Sequence, residues 1–483
     1  MIEKYRKLPN SLKASLWFMI CSMLQKGITF LTVPIFTRLL DTQQYGTYSL
    51  FLSWQEIISI FATLNLNYQV FNNGMIKYKK DKDGYATSML GLALVSSLIT
   101  MVVLFIFYKI WYGLTGIDYR FIILMIINMY SLLVIGIWTV RRRYEYSYKD
   151  VTIITIIMSL LNPILGVIFV NIGTEKVLLR IASIVITSLL FAIITFAFLY
   201  KKNKKIINLD YWKYALKLDL PLIPHYISMV LLHSSDRIMI GYLINKSATA
   251  FYSVSYNVAL VMQIVLNAIN ASFIPWVYQQ LDQKNYSHIK KYSTLLIIFV
   301  AIISVIPMFF APEAVYILGG REYMDAVSII PILSTSVFMI FFYSIFIIVE
   351  MYYEKPTYIT VGSVMAAVVN LVLNYIFISK YGYKAAAYTT LFSYMILAVF
   401  HYLMYKKVCK NKKIFVDIFD SKSMIVIATV LIAISIVITF TYKYILIRYI
   451  SVLFIAIVFI VKRNSIINTY KMFKNKKNIR KEN

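Results

Sequence analysis

The sequence predicts an all-α polytopic membrane protein with about fourteen transmembrane helices, built as two six-helix lobes in parallel repeat plus two C-terminal helices. Three observations predict it. First, 60% of the 483 residues are hydrophobic and only 14% are charged, against about 25% charged in soluble domains. Second, apolar runs of about 20 residues, long enough to cross a bilayer, recur along the chain. In lipid the backbone must satisfy its own hydrogen bonds, so such runs are helices. Third, the net charge of +28 comes from short basic clusters lying between the apolar runs. That distribution sets membrane topology. It does not build the basic face of a nucleic-acid-binding domain.

Spans are expected at 12–37, 47–70, 86–108, 120–140, 151–171, 177–200, 216–243, 250–278, 290–318, 326–350, 356–378, 384–405, 423–441 and 444–461. With the N-terminus in the cytoplasm, 36 of the 49 Lys and Arg residues fall on the cytoplasmic side. The opposite side holds 11, Arg38 and Arg180 among them, and Lys26 and Arg237 lie within spans. This bias predicts both termini in the cytoplasm and an even number of spans. The first apolar segment is too long for a signal-peptide core and reads as a helix of the mature protein.

A duplication sets the domain plan. Shifted by 204 residues, Leu39–Leu50 falls over Leu243–Val254, with Asp41 on Asn245 and Gly46 on Ala250. The basic stretches after Tyr200 and Tyr405 match at nearly the same offset. A six-span unit has an even number of crossings, so its two copies share one orientation, as in transporters that rock two lobes about a central site. The expected organisation is an N-lobe at 1–200, a cytoplasmic linker at 201–215, a C-lobe at 216–405, and the last two spans with a basic tail at 406–483. The Lys-rich linker has no Gly/Ser run, which suits a surface helix better than a loose tether.

Polar residues within spans are costly and mark candidate sites. Lys26 shares a line with Ser22 and Thr29 in the first span and lies about 18 Å from its Arg38 end. That depth calls for either a polar cavity or a carboxylate partner. Glu56, Ser59, Thr63 and Asn67 fall on one face of the second span, and Glu56 is a candidate partner for Lys26. The seventh span carries Pro221, Pro224, His225, His233, Asp236 and Arg237. Two prolines point to a bent or broken helix. Asp236 and Arg237 are adjacent, so their side chains point about 100° apart and address different neighbours. Tyr256, Gln263, Asn267 and Asn270 form a stripe on the eighth span, suited either to helix–helix contact or to hydroxyl-rich ligands. Asn162, Asn370 and Asn374 read as packing contacts.

Soluble chemistry is not indicated. The chain has no GxxxxGK(S/T), GxSxG or HExxH motif, and Cys21 and Cys409 have no CxxC partner. The four histidines have no metal-ligand spacing. No enzyme activity, metal or cofactor is expected. Energy would come from an ion gradient, the membrane potential or the substrate's own gradient, and in the first case H⁺ or Na⁺ is the expected coupling ion and Glu56 or Asp236 the coupling residue.

Three segments carry a family resemblance. VPIFTRLLDTQQYGTYSL resembles the stretch after the first helix of bacterial polysaccharide-biosynthesis flippases, and LPLIPHYISMVLLHSSDRIMIGYL resembles their seventh helix. AFYSVSYNVA is similar to the segment that follows, with Ala250 replacing the usual Gly. The resemblance is to the Wzx type of the multidrug/oligosaccharidyl-lipid/polysaccharide exporter superfamily. It implies alternating access and a substrate of undecaprenyl-diphosphate-linked glycan for O-antigen or capsule assembly, handed on to polysaccharide polymerase machinery. Thr37, Arg38, Asp41, Tyr45, Gly46, Asp236 and Arg237 match the family signature. Lys26 and Arg237 are then candidates for the diphosphate, and Gln263, Asn267 and Asn270 for glycan hydroxyls. The Arg38–Gly46 loop is either an outer gate or a pair of helix caps. A multidrug antiporter and a lipid II flippase share the superfamily. Short outer connections speak against a membrane glycan polymerase.

Overall fold

The computed structural model describes residues 10–444, 446 and 448–450, and these contain no β-strand. α1 (Asn10–Leu39) has 30 residues, about 45 Å of helix, more than a bilayer core requires. Asp41 then opens α2 (Thr42–Thr63) with a capping box: Gln44 N donates to Asp41 Oδ1 at 2.8 Å, and Asp41 N donates to Gln44 Oε1 at 3.2 Å. The expected second span, 47–70, ends early. Leu64 (φ 51°) and Asn65 (φ 46°) turn the backbone left-handed there, a conformation that costs a side-chain-bearing residue about 1–2 kcal/mol. α3 (Gln69–Lys77) follows as a short separate helix.

Asp81 caps α4 (Lys82–Ile106). The chain then makes the short α5 (Tyr108–Thr115), stopped by Gly116 at φ 60°. Asp118 caps α6 (Tyr119–Tyr144), which ends in Arg141–Arg142–Arg143. α7 (Tyr148–Ile172) and α8 (Lys176–Lys202) complete the first half. After the extended residues 203–208, Asn208 caps α9 (Leu209–Asp219). This helix is docked: Trp212 Nε1 donates to the Ser88 carbonyl at 2.9 Å, and Tyr211 Oη donates to Asp81 Oδ2 at 2.9 Å.

A 3₁₀ turn at Leu220–Leu222 leads into α10 (Ile223–Leu243), so Pro221 and Pro224 bend the chain at the mouth of the span and leave its middle regular. Asn245 caps α11 (Lys246–Asp282) through Ala248 N at 2.8 Å, as Asp41 caps α2 one repeat earlier. The expected ninth span, 290–318, divides into α12 (Tyr286–Phe309) and α13 (Ala311–Gly319). Pro312 has no N–H to give the Met308 carbonyl, and Tyr442 Oη caps that carbonyl at 2.6 Å. A 3₁₀ stretch, Arg321–Ile329, precedes α14 (Ile330–Tyr352). α15 (Pro356–Tyr381), α16 (Ala385–Asn411) and α17 (Ser421–Thr441) follow.

Among the described residues, twelve helical segments are long and apolar enough to cross a membrane. α2 falls outside that set because it carries Gln43, Gln44, Gln55 and Glu56. It lies between α10, α11, α4 and α6, where neighbouring protein replaces lipid, so it need not be apolar throughout. The expected fourteenth span, 444–461, and the basic tail lie for the most part outside the described residues.

Apolar cores follow the duplication. Two clusters fill the first half, around Trp138 and Met89 and around Phe51 and Met125. A larger one fills the second half, around Phe338, Phe346 and Tyr405. A fourth cluster crosses between the halves and joins Phe36, Leu40 and Tyr45 to Val254, Leu318 and Tyr323. It sits at one end of the bundle, the Asp41 end. The opposite, basic end carries Arg141–Arg143 and the lysines at 201–205.

Candidate functional site

The halves are sealed to each other at the Asp41 end. Thr37 is buried and donates from Oγ1 to the Leu318 carbonyl. Arg38 Nη2 donates to the Ile317 carbonyl at 3.0 Å, while Nη1 donates to its own Pro34 carbonyl at 2.7 Å. Both cross-half contacts end on the C-terminal carbonyls of α13, where a cation also complements the helix dipole. Tyr45 packs edge-on to Tyr323, ring centres 6.3 Å apart. Thr42 Oγ1 donates to Ser247 Oγ at 3.2 Å, tying the first turn of α2 to that of α11. Gly46 permits that crossing, for a Cβ there would sit 1.7 Å from the Lys246 carbonyl oxygen. Thus Asp41 is a helix cap, while Thr37, Arg38 and Gly46 reach across the seam. Gly46→Val is expected to lower thermal stability by ~1–3 kcal/mol through overpacking. A melt of the purified variant checks this, and an unchanged midpoint would mean the helices do not meet at Gly46.

Halfway along the bundle, charge meets charge through a hydroxyl. Ser234 Oγ donates to Glu56 Oε2 across the seam and accepts from Arg237 Nη2 at 3.1 Å. Arg237 Nη2 also reaches the His233 carbonyl at 3.1 Å, and its guanidinium lies 5.3 Å over the Tyr256 ring. Tyr256 Oη is 2.9 Å from His233 Nδ1. Glu56 is exposed although its helix is flanked by both halves. An exposed carboxylate at that depth requires a water-accessible cleft.

Asp236 turns the other way, into the second half. It is buried and accepts from Tyr252 Oη at 2.5 Å, Asn374 Nδ2 at 2.6 Å and Thr390 Oγ1 at 2.7 Å. Asn374 and Ser235 both donate to Asn370 Oδ1, at 3.1 and 3.0 Å, and Thr389 Oγ1 donates to Asn374 Oδ1. The two asparagines read as packing contacts are therefore the direct and indirect supports of a buried carboxylate. No cation lies within ion-pair distance of Asp236 among the described residues. Hydroxyl and amide donors alone hold it.

The remaining candidates are more dispersed. Lys26 is exposed on α1, with no hydrogen bond or ion pair among the described residues, and Glu56 pairs with Ser234 instead of with it. Gln263 donates to Asn267 Oδ1 at 3.2 Å on the partly exposed face of α11. Asn270 Oδ1 is buried without a partner among the described residues. His225 Nδ1 lies 3.1 Å from Ser363 Oγ on α15.

Two charged sites were not foreseen from the sequence. Arg180, counted above as an outer-side charge, is buried. Its Nη1 donates to Asn162 Oδ1 at 2.8 Å and Ser183 Oγ at 3.0 Å, and the guanidinium lies 3.8 Å over Phe36. The charge count missed it because the first turns of α8 lie inside the bundle rather than in a loop. Glu350 and His401 form a fully buried pair, Nδ1 at 3.0 Å from each carboxylate oxygen. They lie on different helices, 51 residues apart, and share no local motif. No group of three or more His, Cys, Asp or Glu side chains able to hold a metal occurs among the described residues.

A two-half helical bundle, sealed at one end and polar at mid-depth, defines a polytopic helical membrane protein. Residues 11–281 match the family described as polysaccharide biosynthesis protein, and the chain belongs to that family. Among curated proteins it is similar to the Lsg locus putative protein 1 of Haemophilus influenzae, 23% identical over 325 residues, covering 64% of this chain and 77% of that one. Among solved structures, the lipid II flippase MurJ in an inward closed conformation superposes with a TM-score of 0.67 at 14% identity, covering 93% of this chain and 100% of that one. An inward-facing multidrug resistance MATE family transporter of the MOP superfamily gives 0.64 at 14% identity, covering 81% and 96%. The chain shares the fold of these two proteins.

Proposed function

We propose that this protein is a flippase that carries undecaprenyl-diphosphate-linked oligosaccharide repeat units across the bacterial cytoplasmic membrane for O-antigen, capsule or exopolysaccharide assembly. Membership of the polysaccharide biosynthesis family supports the substrate class. The observation that carries the mechanism is the uneven seam: Thr37, Arg38, Thr42 and Gly46 close the halves at one end, while Lys26 and Glu56 stand exposed at mid-depth.

With both termini in the cytoplasm, the sealed end faces outward and the cleft opens to the cytoplasm. A lipid diphosphate entering from the inner leaflet meets Lys26, and displaces Glu56 from the Ser234 bridge to reach Arg237 through charge-assisted hydrogen bonds. Gln263, Asn267 and Asn270 receive glycan hydroxyls, and the polyprenyl tail stays in lipid. Breaking the seam at the Asp41 end and closing the basic end then releases the headgroup outside. Asp236 takes up H⁺ or Na⁺ and couples that step to a gradient. The reaction moves a molecule and makes no covalent bond, so no enzyme activity is assigned. Polysaccharide polymerase machinery is the natural recipient of the product. A multidrug antiporter of the same fold accounts less well for Lys26 and Arg237, since cationic drugs call for carboxylates.

Deletion of the gene in its own host tests the reading. Complete lipid-linked repeat units are expected to accumulate on the cytoplasmic side, with surface glycan lost and restored by the wild-type gene. Unchanged surface glycan together with altered sensitivity to cationic drugs would replace the flippase with the antiporter.

A further inference from the structure

A second polar chamber lies away from the central seam. It is a cavity of about 790 Å³ at the basic end of the first half, between the turn that ends α2 and the last turn of α6. Its size falls within the ~300–1,000 Å³ of small-molecule sites. Its wall carries Asn67, Tyr68, Asn72, Arg143, Tyr144 and Tyr146. No Asp or Glu lines it.

Four features point to a built site. The first is backbone. Leu64, Asn65 and Tyr146 are three of six non-glycine residues with left-handed φ among the described residues; Tyr146 lines the chamber, and Leu64 and Asn65 lead directly into Asn67 and Tyr68 of its wall. Unfavourable backbone held by its surroundings is characteristic of functional sites. Here the Leu64–Asn65 turn ends α2 and swings Asn67 and Tyr68 into the wall. The second is charge. Arg141 and Arg142 are paired with Asp83, Glu145 and Asp150. Partial burial would raise the Glu145 pKa, but hydrogen bonds from Lys202 and Arg142 and the Arg141 charge bring it below the ordinary glutamate value. Arg143 has no hydrogen bond or carboxylate among the described residues and lies 5.0 Å over the Phe18 ring of α1.

The third feature is exposed aromatic surface: Tyr68 is 61% and Tyr146 54% exposed. The fourth is an amide held in place, that of Asn72. Tyr144 Oη donates to the Asn72 carbonyl at 3.1 Å, and Asn72 Nδ2 donates to the Tyr68 carbonyl at 3.0 Å. Tyrosine faces take the apolar side of sugar rings, amides take hydroxyls as donors and acceptors at once, and an unpaired guanidinium takes phosphate. A cationic drug would find no carboxylate here.

We propose that this chamber is a docking subsite for a glycosyl phosphate, with sugar rings against Tyr68 and Tyr146 and the anionic group at Arg143. The proposal rests on the flippase reading in naming the occupant: the sugar end of the carried lipid, captured before it enters the cleft. Phe18 beside Arg143 and Lys26 are eight residues apart on α1, about 12 Å along the helix, so the subsite and the central cation lie along one path. A cytosolic sugar nucleotide presents the same chemistry and is the other source.

The test uses the full-length protein in nanodiscs, carrying a thiol-reactive fluorophore at Gln69→Cys, an exposed wall position that takes no part in the proposed contacts; Cys21 and Cys409 are buried. The probes are a lipid extract from host cells blocked in polymerisation, the same extract after mild acid has cleaved the glycans, UDP-glucose with UDP-N-acetylglucosamine, and inorganic diphosphate. The intact extract is expected to shift the fluorescence, and Arg143→Gln, Tyr68→Ala and Gly136→Ala to weaken that response roughly tenfold. Gly136→Ala acts from the facing wall, where its Cβ would lie 2.7 Å from Asn67 Nδ2. Lys284→Gly, which eases a left-handed turn in the second half and lies outside the chamber wall, is expected to bind normally. A response to sugar nucleotides and not to the extract supports the ligand class and makes a soluble donor the occupant. A response to diphosphate alone, or equal responses in all variants, overturns the subsite. If gene deletion removes surface glycan but these variants bind and export normally, the subsite fails and the flippase stands. If deletion leaves glycan intact while the chamber binds as described, the flippase reading fails and the subsite stands.

Discussion

Oxidation of a Thr42→Cys, Ser247→Cys variant is expected to stop glycan export, and reduction to restore it. The two hydroxyls are 3.2 Å apart on the first turns of α2 and α11. Cysteine sulfurs at those positions start about 1 Å beyond the ~2.05 Å of a disulfide, and side-chain rotation closes that gap. The native thiols should not compete, since Cys21 and Cys409 are buried. A bond at this point keeps the halves together where Thr37, Arg38 and Gly46 already hold them. Transport that rocks one lobe against the other must part that seam. The cross-linked molecules cannot reach the outward-open state, so surface glycan should fall roughly tenfold or more in oxidised cells when about nine-tenths of the protein is cross-linked. A gel shift on the purified protein confirms the bond. Full export by the oxidised, fully cross-linked protein would sink the proposed rocking motion.

The seam also shows what the sequence makes legible. Asp41 and Asn245 are N-caps at matching places in a duplicated unit, and local chemistry together with the 204-residue offset reveals them. The apolar runs locate the crossings, because spanning lipid is a local, length-dependent requirement. Boundaries fail where backbone chemistry intervenes within an apolar run. Nothing in Thr63–Leu64–Asn65 announces a left-handed turn, and Pro312 divides a span only because Tyr442, 134 residues from the freed Met308 carbonyl, satisfies it. Partners were the least legible. Lys26 and Glu56 make a plausible pair by depth, yet the structure gives Glu56 to Ser234. Arg180 looks like a loop charge in sequence, and Glu350 and His401 carry no local signal, because each finds its partner on another helix. One-sided patterns reveal that a polar residue lies in a span and not which helix it faces.

Asp236→Asn and Asp236→Ala are expected to separate the two roles of the buried carboxylate. Tyr252, Asn374 and Thr390 all donate to it. Alanine leaves three buried donors without their acceptor, each worth about 1–3 kcal/mol when unsatisfied. The alanine variant should melt several degrees lower and export nothing. Asparagine keeps the volume and one carbonyl oxygen, and the Tyr252 and Thr390 hydroxyls can rotate to accept from its amide. That variant should fold nearly as the wild type does. It has no titratable carboxylate and no negative charge to hold Na⁺, so export should still fall roughly tenfold, a coupling loss of about 1.4 kcal/mol or more. Membrane vesicles with an imposed pH or Na⁺ gradient read the difference. Wild-type transport should respond to one of the two gradients, and the asparagine variant to neither. An asparagine variant that exports normally and keeps its gradient response would confine Asp236 to holding α10, α11, α15 and α16 together, and coupling would have to reside elsewhere in the bundle.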